Sequence, residues 1–169
     1  MILIPENGTG LPDSNSYVDL NEADNYFATH PFYADNWASL GIPDKENLLM
    51  AASSALDTII TWRGVLLDPS QALGWPRVGV VDDEGRLIAT NIVPDRVKKA
   101  TMEMAFYLSK GDPYAPSSSA DLESLKIDVI ELKFAGSTTF TPIPAPALLL
   151  LKGLGDYIYG SRVRRVYVG

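Results

Sequence analysis

The sequence predicts an α+β fold that is mainly helical, with a small helix-bundle core, a β-hairpin insertion, a short β segment and extended terminal arms. Three amphipathic stretches with helix-start signals predict the bundle. A non-periodic stretch over residues 62–93 and an alternating stretch after residue 124 predict the β elements. The 169 residues are 46% hydrophobic and 21% charged, which is the composition of an ordinary globular domain.

The first helix is predicted over residues 19–29. Asp19 and Glu22 fit a capping box, in which each side chain accepts a hydrogen bond from a backbone N–H that has no partner within the helix. His30 precedes Pro31, and the residue before a proline avoids helical geometry. The helix is therefore expected to end at this point.

Two longer helices are predicted over residues 43–61 and 94–110. Each begins with a proline followed by an aspartate, Pro43 and Pro94 being the prolines. Proline suits the first helical position because the N–H that it lacks would have no partner there, and an acid opposes the positive end of the helix dipole. A short apolar helix is predicted at 147–153.

The other predicted segments lie between and around these helices. They are an N-terminal arm at 1–18, a β-hairpin at 78–89, a β segment at 124–141 and a C-terminal arm at 156–169, around one domain at 19–155. The alternation in the β segment shifts by one residue near Ile130, as a β-bulge would produce.

Charge is distributed unevenly along the chain. The net charge is −7, and residues 1–62 carry nine acids against one base, Lys45, which gives −8 for that part. Three bases, Arg162, Arg164 and Arg165, lie close to the C-terminus. This distribution favours partners of opposite sign at the two ends and disfavours non-specific DNA binding by the folded body.

The sequence predicts a protein made in the cytoplasm. It has no cysteine, which removes disulfides and zinc–thiolate sites and suits a reducing compartment. Its N-terminus lacks the basic and apolar regions of a signal peptide. The longest apolar run, residues 147–151, is much shorter than the ~20 residues of a membrane span.

No catalytic, cofactor or metal site is predicted, and the chain is not expected to be an enzyme. The one histidine, His30, is interpreted as part of a helix terminator because the sequence names no group to orient it as a base. Residues 82–85 are acidic but lack the alternating ligands of a calcium loop, so a turn is the favoured interpretation.

Two aromatic–basic pairs remain as candidates for a binding surface. Trp62 is followed by Arg63, and Trp75 is followed by Pro76 and Arg77. If exposed, these side chains could stack on bases or contact a neighbouring subunit. The favoured alternative is that the two indoles anchor a long loop to the core.

The same residues carry a resemblance to a known family. The motifs that match are residues 11–18 (LPDSNSYV), 22–27 (EADNYF), 62–64 (WRG), 71–77 (QALGWPR), Gly79, 83–88 (DEGRLI) and 93–94 (VP). The family occurs in tailed phages and prophages and is often labelled DnaT-like single-stranded-DNA-binding protein. It is similar, in fold and genomic setting, to head–tail adaptor proteins, also called head completion proteins.

The resemblance implies a structural virion protein. It implies a homo-oligomeric ring, typically of twelve copies, that joins the portal of the capsid to tail or nozzle proteins at the head–tail junction, with DNA passing through only as cargo. No membrane and no cofactor are implied. The residues expected to contact partner proteins are Arg162, Arg164, Arg165 and Tyr167 of the C-terminal arm.

Two other functions stay open at this stage. The chain could be a single-stranded-DNA-binding replication protein that uses Trp62, Arg63, Trp75 and Arg77 as a platform for bases and phosphates. It could also be a small enzyme with an unfamiliar active site. The acidic first third of the chain is the feature that argues against the DNA-binding alternative.

Overall fold

The computed structural model describes residues 2–111 and 143–158. Its helices are α1 (Leu20–Ala28), α2 (Ala34–Ala38), α3 (Ile42–Ile59), α4 (Asp95–Leu108) and α5 (Ala145–Leu150). Its strands are β1 (Ile60–Trp62), β2 (Val65–Leu66), β3 (Arg77–Val78) and β4 (Gly155–Tyr157). The predicted class, α+β and mainly helical, is confirmed.

Helix α1 begins with the predicted capping box. The Glu22 backbone N–H donates to the Asp19 carboxylate at 2.8 Å, and the Asp19 N–H donates to the Glu22 carboxylate at 3.3 Å. The helix buries Ala23 and Phe27. Its start and end therefore follow from local sequence, as predicted.

The core lies between α3 and α4, and α5 also packs against α4. The buried apolar residues of α3 are Leu49, Ala52, Leu56 and Ile59, and those of α4 include Val97, Ala100 and Met104. Helix α3 ends where Ile60 becomes extended, at φ −110° and ψ 124°. A run of β-branched residues at 58–61 favours strand geometry there.

The chain passes directly from α3 into a small sheet. Strand β1 pairs antiparallel with β4, with Ile60 opposite Tyr157 and Trp62 opposite Gly155. The predicted C-terminal arm at 156–169 is thus wrong at its beginning, because residues 156–157 belong to a strand that is hydrogen-bonded to the core.

The predicted hairpin at 78–89 is corrected in its pairing. Val78 pairs with Val65 across β2 and β3. The central part of the predicted hairpin is present: Val81 bridges Leu87, the Ile88 N–H donates to the Val80 carbonyl at 2.9 Å, and the Asp82 N–H donates to the Arg86 carbonyl at 2.8 Å. Gly64 has φ +72°, a left-handed conformation that turns the chain and brings β2 beside β3. That pairing occupies the residue which was expected to start the hairpin.

The predicted N-terminal arm is a closed loop packed on the core. The carboxylate of Glu6 is buried, and it accepts hydrogen bonds from the backbone N–H groups of Gly8, Gly10 and Leu11 at 2.8 to 3.0 Å. Tyr17, at the end of the loop, is fully buried. A buried carboxylate that accepts several N–H donors fixes the backbone around it, which sequence periodicity does not reveal.

Helix α2 was not predicted, and the predicted helix at 147–153 begins earlier, at Ala145. The β segment at 124–141 and the C-terminal arm beyond residue 158 lie outside the described residues. Among the residues described, no helix has the length and apolar character that a membrane span requires.

Candidate functional site

The two tryptophans predicted to form a platform lie in the core. Trp75 is fully buried and Trp62 is 9% exposed, and their rings meet edge to face with centroids 6.0 Å apart. A base stacks on an open ring face, and neither indole offers one in this structure. Their placement corresponds to the anchoring alternative.

A buried carboxylate holds this part of the chain together. Asp57, on α3, accepts hydrogen bonds from the Trp62 indole N–H at 2.7 Å and from the Gly74 backbone N–H at 2.8 Å. It also accepts one from the Tyr17 hydroxyl. Burial raises the pKa of Asp57, although these donors act in the opposite direction. The WRG and QALGWPR motifs are therefore joined through one side chain that neither motif contains.

The two arginines of these motifs have different surroundings. Arg77 donates from its guanidinium to the backbone carbonyls of Arg63 at 2.6 Å, Gly74 at 2.9 Å and Gly64 at 2.8 Å. Arg63 is half exposed and forms an ion pair with Asp156 at 3.4 Å. Arg77 thus closes the loop between β1 and β3, while only Arg63 presents its charge to solvent.

The other predicted interface residues, Arg162, Arg164, Arg165 and Tyr167, lie outside the described residues and stay a prediction. His30, interpreted from sequence as a terminator, does follow the end of α1, and its backbone N–H donates to the Phe27 carbonyl at 2.9 Å.

His30 also begins a stack of aromatic rings. Its imidazole lies parallel to the Tyr33 ring, with centroids 4.0 Å apart and planes 6° apart. Tyr33 in turn stacks on Phe106 of α4 at 3.9 Å. The Lys110 ammonium lies 4.6 Å from the Phe106 centroid, a distance typical of a cation–π contact. The stack therefore joins the segment between α1 and α2 to the end of α4.

Beside the stack lies a concavity of about 320 Å³, which we call the aromatic cleft. It is lined by Phe32, Tyr33, Asn36, Phe106 and Lys110. The Phe32 side chain is 79% exposed, and its ring meets His30 edge-on at 6.2 Å. The cleft thus combines an open aromatic face, a carboxamide and an ammonium group within one small surface.

The acid nearest the stack is engaged. Glu103 is buried, and its carboxylate accepts a hydrogen bond from the Tyr26 hydroxyl at 2.5 Å. Burial and then the Glu103 carboxylate raise the pKa of Tyr26, so the phenol remains a donor. The same carboxylate oxygen lies 3.9 Å from His30 Nε2. Glu103 therefore supports the stack from inside and adds little negative surface to the cleft.

The sequence contains one signal for this site. His30, Phe32 and Tyr33 are adjacent ring-bearing residues in a segment without helical period, where apolar side chains need a partner. The contribution of α4 carried no such signal, because Phe106 falls on an ordinary apolar helix face. Only the packing of α1 beside α4 brings the two segments together.

One comparison with known proteins gave a match. The model of a family described as "Putative DnaT-like ssDNA binding protein" matches residues 1–166. No curated protein and no solved structure gave a significant match.

The family match corrects the expectation drawn from the resemblance. The family is described by single-stranded-DNA binding and not by a head–tail junction. The adaptor ring, its portal and tail partners, and a role of DNA as mere cargo are therefore wrong for this chain.

Proposed function

We propose that this chain, which belongs to the DnaT-like single-stranded-DNA-binding protein family, binds single-stranded DNA at the aromatic cleft. The match of the family model to residues 1–166 is the observation that carries the proposal. The role proposed is one of binding, without catalysis.

The chemistry of the cleft supports this role. Proteins that bind single strands without sequence preference combine aromatic side chains, on which bases stack, with cations that contact the phosphates. Phe32 has an open ring face, and Lys110 lines the same cleft. Asn36 adds donors and an acceptor that suit the edge of a base.

The rigidity of the cleft supports it as well. Tyr33 is fixed between His30 and Phe106, and the hydrogen bond between Tyr26 and Glu103 ties α1 to α4 beneath the stack. Because Tyr33 is already held in place, it loses little conformational entropy when a base stacks on the neighbouring Phe32. The cleft is thus preorganised for a planar ligand.

The charge of the protein sets the expected strength of binding. With a net charge of −7, the chain gains little from long-range attraction to phosphates. Stacking must therefore supply most of the affinity, at about 1–3 kcal/mol per base. We expect moderate affinity and a shallow dependence on salt, in contrast to strongly basic DNA-binding proteins.

The test is a titration of a 5′-fluorescein dT oligomer, followed by anisotropy at low salt. Phe32→Ala should weaken binding about 5- to 150-fold, which corresponds to the loss of about one stacked base. Leu87→Ala is the matched control, because Leu87 is 75% exposed and lies in the turn between β3 and α4. Its affinity should equal that of the unmodified chain.

Two results would contradict the proposal in different ways. If the unmodified chain gave no anisotropy change with micromolar protein, single-stranded-DNA binding itself would be excluded. If Phe32→Ala bound as tightly as Leu87→Ala, binding would stand and the aromatic cleft would be the wrong surface. Circular dichroism of both variants checks that each is folded.

A further inference from the structure

The one histidine of the chain, His30, has a contact at each nitrogen of its imidazole ring. Its Nδ1 accepts a hydrogen bond from the Phe32 backbone N–H at 3.4 Å. A nitrogen that accepts carries no proton, so the hydrogen-bond geometry assigns the proton of the neutral ring to Nε2. Nε2 lies 3.9 Å from the buried carboxylate of Glu103. The neutral imidazole therefore lies between the exposed ring of the aromatic cleft and the acid beneath it.

The imidazole is held more firmly than Phe32. Its ring stacks on Tyr33 with centroids 4.0 Å apart, and Tyr33 stacks on Phe106 at 3.9 Å. The His30 carbonyl accepts hydrogen bonds from the Tyr33 N–H at 3.4 Å and the Ala34 N–H at 3.2 Å, at the start of α2. The Phe32 side chain, in contrast, is 79% exposed. A conflict between His30 and Phe32 is therefore relieved by movement of Phe32.

Protonation of the imidazole creates such a conflict. Histidine is the side chain that ordinarily gains its charge between about pH 8 and about pH 5. An imidazolium carries a proton on both nitrogens, so at Nδ1 two donors, the ring N–H and the Phe32 N–H, then face each other. Their hydrogen bond is lost. Phe32 is released from the position in which its ring meets His30 edge-on, with centroids 6.2 Å apart.

The groups around His30 neutralise the charge that protonation adds. The titratable and charged side chains on the elements packed around it include Tyr26 of α1, Tyr33 and Asp35 around the start of α2, Glu103 of α4, and Lys110 after α4. Glu103 faces Nε2 and is 5% exposed, and the Tyr26 hydroxyl donates to it. The Lys110 ammonium contacts Phe106, at the other end of the stack. The imidazolium is thus paired below the surface and adds little attraction for phosphates.

We propose that His30 is a positioning residue that makes single-strand binding depend on pH: the neutral imidazole holds Phe32 where a base can stack on it, and the imidazolium releases it. This inference rests on the proposed function and adds to it a control by pH at the same cleft. Affinity for oligo-dT should fall about 2- to 10-fold from about pH 8 to about pH 5.5, because a hydrogen bond to the stacking residue is lost. The direction is diagnostic, since a cation added to an open DNA-binding surface would raise the affinity.

The test is an anisotropy titration at fixed ionic strength across this pH range. The dT oligomer carries a rhodamine dye, because the emission of fluorescein itself changes with pH here. His30→Asn places a carboxamide oxygen near the position of Nδ1, where it accepts the Phe32 N–H at every pH. It should keep, at every pH, the affinity of the unmodified chain at about pH 8. His30→Phe keeps a ring for the stack but has no acceptor, so it should keep the weaker affinity that the unmodified chain has at about pH 5.5.

Phe32→Ala is the second comparison, because the effect of His30 acts through this ring. It should bind weakly and without pH dependence. The proposal is overturned if the affinity of the unmodified chain stays level or rises toward low pH, or if His30→Asn keeps the full pH dependence. It is also overturned if His30→Phe binds more tightly than His30→Asn, which is the order that a role in the ring stack alone would give.

Absence of binding by the unmodified chain at every pH would instead remove the proposed function itself, so the two failures are distinguishable. Circular dichroism at both ends of the pH range checks that each variant is folded. The pH profile of the unmodified chain decides the direction of the effect without any variant.

Discussion

The hydroxyl of Tyr17 donates a hydrogen bond to the carboxylate of Asp57, and this contact links the N-terminal loop to the last turn of α3. The same hydroxyl accepts a hydrogen bond from the Trp75 backbone N–H at 3.2 Å. Three separate segments of the chain thus meet at one buried pair of side chains. The stability of the fold should depend strongly on it.

We expect Asp57→Ala to lower the free energy of unfolding by about 3–5 kcal/mol, because it leaves several buried donors without an acceptor. Urea denaturation followed by tryptophan fluorescence measures the loss. Asp156→Ala is the control, since that carboxylate is 74% exposed and forms only a surface ion pair. It should cost less than about 1 kcal/mol. Equal losses in both variants would contradict the structural role of Asp57.

The free energy of unfolding should depend on pH through the titration of the Asp57 carboxylate. Burial raises the pKa of Asp57 above 3.8 in the folded protein, so in the interval between the two pKa values the folded state retains a proton that the unfolded chain has released. Stability from this group is therefore complete below 3.8 and decreases as the pH rises through the folded pKa.

Asp57→Asn removes this titration. The free energy of unfolding of the unmodified chain, minus that of the Asn variant, should become smaller as the pH rises from 3 to 7, at about 1.4 kcal/mol per pH unit at most. Denaturant titrations across this range measure the difference. An increase with pH would mean that the pKa of Asp57 is lowered in the folded state.

The loop around Glu6 should be sensitive to a change of one atom. Glu6→Gln replaces one acceptor oxygen by an amide group that faces backbone N–H donors. We expect a loss of about 2–4 kcal/mol in the free energy of unfolding. Asp13→Asn, in the same loop but exposed, should stay within about 0.5 kcal/mol of the unmodified chain. A negligible effect of Glu6→Gln would show that the loop does not depend on this carboxylate.

Substitutions of the two arginines in the tryptophan motifs, Arg77 and Arg63, should differ in their cost to stability. Arg77→Ala removes three hydrogen bonds to backbone carbonyls, for an expected loss of about 1–3 kcal/mol. Arg77→Lys should recover little, because an ammonium group cannot reproduce the geometry of the fork. Arg63→Ala should cost less than about 1 kcal/mol. Thermal unfolding of the three variants measures these losses. A larger fall in melting temperature for Arg63→Ala than for Arg77→Ala would contradict the expectation.

Gly8 should not tolerate a side chain. Its φ is +96°, and a Cβ added there would lie 2.1 Å from the carbonyl oxygen of Asn91. Gly8→Ala must therefore displace the loop from the segment before α4, and we expect a clear fall in melting temperature. Gly85→Ala is the comparison. The φ of Gly85 is also positive, at +78°, but no atom lies within 4 Å of the added Cβ. A smaller fall for Gly8→Ala than for Gly85→Ala would contradict the clash.

The helices could be predicted because their signals are local. The capping box at Asp19 and Glu22 acts within one turn, and Pro43 and Pro94 each lie within two residues of a helix start. The strand pairing could not be predicted in the same way. Val78 pairs with Val65, outside the expected hairpin, next to the turn at Gly64 and the hydrogen bonds from Arg77 to the Arg63 and Gly64 carbonyls.

The candidate site shows the same division. An aromatic segment after α1 is visible in the sequence, but the sequence does not indicate that Phe106 and Lys110 complete it. Trp62 and Trp75, which are conspicuous in the sequence, are buried with their rings in contact, and Trp62 also donates to Asp57. Their prominence reflects the anchoring of a loop, and Asp57, a residue outside both motifs, provides the anchor.

The sequence by itself determined the α+β class, the main helices and their caps, because hydrophobic period and capping act over a few neighbouring residues. Only the tertiary structure decided that the N-terminal segment is a packed loop, that residues 155–157 form a strand against β1, and which aromatic rings reach the surface. These outcomes depend on hydrogen bonds and ring contacts between segments far apart in the chain. No local pattern encodes such contacts, because each partner is chosen by what the folded core brings within reach.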